Sequence, residues 1–135
     1  MANLMQEQHP FVLVYLLAVG SDILNEDERE LLLYLGMVIW QIMSQGDTPL
    51  TKVTEDDLDK AEEANMKMLE YLEGESEAGF MDVTEKMISN YGQPEVLKYA
   101  VEALMEEPEE GCLIRDENKG IMMIYLKTVI DCLNR

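Results

Sequence analysis

Nucleophilic catalysis by serine or cysteine usually recruits a histidine base, and this sequence holds one histidine, His9. It sits beside Pro10 near the chain start, in a stretch that reads as a loose end ahead of the first helix. Di-metal carboxylate bundles need Glu-x-x-His pairs on facing helices, whereas the residue three before His9 is Gln6. A histidine-dependent metal centre is therefore not expected. Asp56, Asp59 and Glu63 share one helical face and could in principle meet a divalent cation. Hard cations want ligands that converge from a cavity, and an exposed stripe is ordinarily solvated. The run Asp116-Glu-Asn118-Lys-Gly120 has the flavour of a calcium loop. That loop needs Gly at position 6 and an acid at position 12; here Gly120 falls at 5 and Lys127 at 12. A helix cap explains the residues.

The two cysteines, Cys112 and Cys132, lie 20 residues apart with no companion cluster of His or Cys. Two free thiols in a reducing compartment are the expectation. Apolar neighbours around Cys132, and Glu109 and Glu110 beside Cys112, disfavour the thiolate at both. No G-x-x-x-x-G-K-[ST] or G-x-G-x-x-G phosphate cradle is present. No cofactor is called for.

Binding chemistry is better represented. Behind Thr54, Leu58, Ala61, Asn65, Met68 and Leu72 recur at spacings of 3, 4, 3 and 4, an apolar seam with one polar member. The opposite face carries Asp56, Asp59, Lys60, Glu63, Lys67 and Glu70. Asp56, Asp59, Glu63 and Glu70 are thus a candidate acidic face for a protein partner. Among 11 methionines, Met66, Met68 and Met105 are candidate apolar contacts, joined by Met122 and Met123 in a groove of the adaptable kind. Methionine also fills gaps in ordinary helical cores. Asn65 either fixes register at a helix pair or dimer contact or stands at the edge of a half-exposed face.

These residues must be positioned by a chain of 135 residues with 10 Lys+Arg against 28 Asp+Glu, a net charge of −18. One domain of this length can bury about two-thirds of its unfolded surface without disulfides or metal. A hydrophobic share of 47% is that of a folded protein, so disorder is not expected. The charge repels polyphosphate and anionic membrane surfaces, so neither nucleic acid nor membrane is an expected partner. Met1–Pro10 lacks the basic residues of a secretory signal, and Phe11–Val19 is short of the roughly 20 residues that span a bilayer. A cytoplasmic address follows.

Helical punctuation recurs along the chain. Pro10 opens the first segment, whose run Phe11–Val19 is apolar on every side and reads as a buried central helix. Asn25 with Glu28 has capping-box spacing for a helix through Met43, stopped by Gln45-Gly46-Asp47-Thr48-Pro49. Trp40 and Tyr34 on that helix are expected in the core. Thr54 caps the acidic helix, and Gly74–Gly79 breaks it. Asp82 with Glu85 suits a short helix ending near Asn90-Tyr91-Gly92, Pro94 opens another, and Glu106–Gly111 is an acidic linker. Asp116 is placed to cap the last helix, through Leu133, with its early Gly120 blurring the start.

Segments 10–43 and 94–133 also resemble each other. A shift of 84 pairs Pro10 with Pro94, Val12 with Val96, Leu13 with Leu97 and Tyr15 with Tyr99. A shift of 91 pairs Asn25 with Asp116, Tyr34 with Tyr125, Leu35 with Leu126 and Ile39 with Ile130. Buried helices converge on such residues, yet matching proline starts and caps favour a repeat of two helical hairpins about a pseudo-twofold. The expectation is a single all-α domain over 1–135, a compact bundle of five or six helices with Leu31–Met43 and Ile121–Leu133 at its centre. Such apolar density could also supply a homodimer interface. Three functions compete. The first is a non-catalytic adaptor, regulator or inhibitor acting by protein–protein contact. The second is an immunity-type charge mimic covering a basic surface. The third is an enzyme or small-ligand carrier with an apolar pocket between helices.

Overall fold

The helix starts at Pro10, Glu26, Glu55 and Pro94 fall where the sequence signals place them, while Asp116, expected as a cap, is itself the first residue of its helix. The computed structural model describes residues 2–45, 52–73, 85, 94–105, 114 and 116–133. Six helices occupy these stretches: α1 (Ala2–Gln8), α2 (Pro10–Ala18), α3 (Glu26–Ser44), α4 (Glu55–Glu73), α5 (Pro94–Met105) and α6 (Asp116–Leu133). No strand occurs among the described residues. Pro10 is the first residue of α2, where its missing N–H costs nothing. At α3 the Asn25 side chain accepts from the Glu28 N–H at 2.8 Å, and Glu28 Oε1 accepts from the Asn25 N–H at 2.8 Å. Thr54 and Asp57 exchange the same pair of bonds, at 3.1 and 3.0 Å, ahead of α4. Gly20, at φ 74°, ends α2 in the left-handed region that glycine adopts without strain.

α6 is the hub, packed by α3, α4 and α5. Its run Met122–Leu126 and its Val129, Ile130, Cys132 and Leu133 are all buried. α2 packs on α1, α3 and α4. Its approach to α3 is close because Gly36 leaves a hole there: a Cβ at that position would stand 2.5 Å from Leu16 Cδ1. The leucine fills the space that a side chain would take. The all-α bundle is therefore the fold, and among the described residues no helix is long and apolar enough to cross a membrane.

Four details differ from the sequence expectation. α2 is not a buried central helix: Val12 and Leu16 face inward, while Phe11, Val14 and Leu17 are 47%, 59% and 48% exposed. Nine residues with one packed stripe leave the other side uncovered, whatever its hydropathy. α3 is central on one face alone. Tyr34 is 61% exposed rather than core, whereas Trp40, six residues on, is buried. Finally, His9 belongs to no loose end, because α1 precedes it and the His9 N–H continues the turn to the Met5 carbonyl at 2.7 Å. Met5, wholly buried, anchors that short helix.

In the paired segments 10–43 and 94–133, Pro10 and Pro94 each open a helix, whereas the aligned Asn25 stands one residue before α3 and Asp116 is the first residue of α6; α2 packs on α3 as α5 packs on α6. Burial is not matched: Tyr34 is on the surface and its counterpart Tyr125 is 4% exposed. The stop at 46–49, the break at 74–79, the short helix of Asp82–Asn90 beyond Glu85, the linker 106–111 and Cys112 lie outside the described residues.

Candidate functional site

α4 has two faces with opposite tasks. Leu58, Asn65 and Leu69 are buried, while Asp56, Asp59, Glu63 and Glu70 are all exposed on the far side. Placing an acid four residues before a lysine lets the two meet on a helix surface. Lys60 accordingly stands 3.0 Å from Asp56 and Lys67 3.9 Å from Glu63. These pairs are open to water and hold little energy. The face stays negative, its four acids standing against two lysines.

A polar network between helices fixes which face of α4 is outward. Asn65 Nδ2 donates to Thr128 Oγ1 at 3.1 Å and to Asp131 Oδ2 at 3.0 Å. Lys127 Nζ donates to Asn65 Oδ1 at 2.8 Å and to Asp131 Oδ2 at 2.9 Å. Asn65 thus spends both ends of its amide on α6, and the register reading holds within one chain. Next to it, the Tyr15 hydroxyl of α2 donates to Glu62 Oε1 of α4 at 3.1 Å. Tyr125 meets Tyr15 edge-on, with ring centroids 6.3 Å apart. Burial, reinforced by the Glu62 carboxylate, pushes the Tyr15 phenol well above the ordinary tyrosine range. The same two causes raise Tyr125.

The remaining groups with chemical potential are also engaged in packing. The Trp40 indole N–H donates to His9 Nδ1 at 2.8 Å, so that ring nitrogen is engaged as an acceptor. Cys132 is buried, and its thiol points to the Asp57 carbonyl at 3.5 Å, between the end of α6 and the start of α4. Glu28, fully buried, does more than cap: it also accepts from Asn118 Nδ2 at 3.1 Å. That bond ties the start of α3 to the start of α6. Asn118, read as part of a helix cap, is instead the third residue of α6 and a strut. Met66 and Met68 are half-buried against the core, Met122 and Met123 are buried in it, and the Met105 side chain lies outside the described residues.

Sequence reasoning missed Lys127, Thr128 and Asp131 as partners of Asn65. A signal existed: they interrupt an otherwise apolar stretch, and Lys127 and Asp131 stand four apart. Their partner across the helix pair is what spacing alone does not name. Among the described residues no three His, Cys, Asp or Glu side chains converge as metal ligands, and no buried side-chain N or O lacks a hydrogen-bond partner. No protein-family model, curated protein or solved structure matches this chain.

Proposed function

We propose that this chain is a non-catalytic cytoplasmic protein that acts by binding another protein, offering the outer face of α4 to a basic surface on its partner. A division among the polar side chains supports it. Among the described residues, three groups suited to acid–base work are occupied between helices: His9 with Trp40, Tyr15 with Glu62, Lys127 with Asn65 and Asp131. Those on the outside of α4, namely Asp56, Asp59, Glu63 and Glu70, are exposed together on a helix whose other face is locked to α6. A fixed row of carboxylates on a chain of charge −18 steers a basic surface and repels nucleic acid and anionic membranes. The role is that of an adaptor, regulator or inhibitor.

Salt tests it. Tagged protein is incubated with its native extract at low salt, and each captured protein is followed as salt is raised. A partner held at low salt and released towards 1 M, where the screening length falls to about 3 Å, is the expected result. Capture indifferent to salt, or nothing retained beyond what an acidic control of equal charge retains, contradicts the proposal.

A further inference from the structure

The charges of this chain are unevenly spread. Pro10–Val19 contains no Asp, Glu, Lys or Arg, and neither does Leu31–Gln45, although the chain carries 28 acids and 10 basic residues. On α2 the exposed Phe11, Val14 and Leu17 recur every three residues and so form one row. With a rise of 1.5 Å per residue that row is about 9 Å long, close to two turns of helix. Beside it a groove opens between α2 and α3, floored by Leu16, Leu17 and Leu33. Its volume is about 190 Å³, below the roughly 300 Å³ at which small-molecule sites begin. It suits side chains from a second polypeptide. Glu26 and Glu30 stand at its edge, and Arg29 between them is turned onto the Leu17 carbonyl at 3.1 Å.

We infer that this groove and the bare row on α2 dock an amphipathic helix of another protein, one whose apolar stripe is flanked by Lys or Arg. The apolar row, at i, i+3 and i+6, gives one stripe against which the apolar anchors of a docked helix can pack. The acidic edge, in a field of −18, selects basic flanks over acidic ones. A second copy of this chain brings the same negative field and is the less favoured occupant. The inference rests on the reading of the chain as a protein-binding module but uses a surface apart from the outer face of α4.

The test uses the full chain and a labelled 18-residue leucine–lysine peptide with leucines at i, i+3, i+4 and i+7, followed by fluorescence anisotropy. Val14→Asn with Leu17→Asn should lower affinity tenfold or more, with net charge unchanged and two exposed sites altered. Glu26→Gln with Glu30→Gln should lower it several-fold and flatten its salt dependence. Neutralising Asp56, Asp59, Glu63 and Glu70 to Asn and Gln should leave it within twofold. A glutamate version of the peptide, and a lysine version with its leucines scrambled, should both bind at least tenfold more weakly. Equal binding by a folded Val14/Leu17 variant overturns the inference, as does loss of most binding on neutralising α4. Sedimentation of the chain alone showing a dimer that the Val14/Leu17 changes dissolve also overturns it, assigning the face to self-association. None of these outcomes touches the test of α4, whose residues are different.

Discussion

At the scale of single residues, buried polar groups decide the arrangement because each must find a partner or pay its desolvation cost. Asn65 is the most demanding of them. Replacing it with Ala should lower stability by about 2–3 kcal/mol, since Lys127, Thr128 and Asp131 each lose a bond in a half-dry site. Thermal unfolding of Asn65→Ala beside an exposed control, Asn for Asp59, checks this; a loss no larger than the control's would show that the network is slack. Tyr15 and Tyr125 give a second prediction, with a definite sign. Their phenols are raised in the folded protein and ordinary, near 10, in the unfolded chain. The unfolded state therefore releases protons first. Their contribution to stability is complete below pH about 10 and declines as pH rises further. Absorbance titration should find these two of the six tyrosines ionising late, along with alkaline unfolding. Tyr15→Phe should make stability less steeply dependent on pH in that range, and an unchanged slope would contradict the cause assigned.

At the scale of elements, capping chemistry was legible and exposure was not. Asn25 with Glu28, Thr54 with Asp57, and Pro10 and Pro94 mark starts that the backbone follows, because these residues satisfy or remove the same orphan N–H groups in any context. Part of the α4 seam was legible for a similar reason: Leu58 and Asn65 are buried as the helical period requires, while Leu69, outside the seam as read, is buried and Met68 is half-exposed. α2 was misread because hydropathy reports what a residue tolerates, whereas burial depends on what packs against it. Phe11 and Val12 are adjacent and equally apolar, yet one is exposed and the other buried. α1 escaped notice because it is a single short stretch, with Met5 its buried apolar residue among those described. Tyr34 and Tyr125 align in sequence and part in burial for the reason that applies to α2. Contact between α2 and α3 predicts a steric outcome: Gly36→Leu must displace Leu16 and should cost about 1–3 kcal/mol as overpacking. Replacing Leu16 with Ala in that background should return part of the loss; a fully additive pair would refute the close fit.

At the scale of the whole molecule, charge sets both stability and partnership. A surplus of 18 negative charges repels itself in the compact state. Raising salt from about 0.01 M to about 0.1 M shortens the screening length from about 30 Å to about 10 Å, so the melting temperature should rise across that interval. A fall would indicate that exposed pairs such as Lys60–Asp56 outweigh the repulsion. α4 presents its charged face in a fixed orientation, held by the bonds of Asn65 to α6 that only the structure pairs up. Capture from native extract with Asp56, Asp59, Glu63 and Glu70 all changed to Lys, beside the unaltered protein, tests the role of the α4 face most directly. The variant should keep its helical circular dichroism and a cooperative melt, because all four side chains are exposed. Loss of the protein partner by that folded variant is the result predicted. Undiminished capture of the same partner would contradict it.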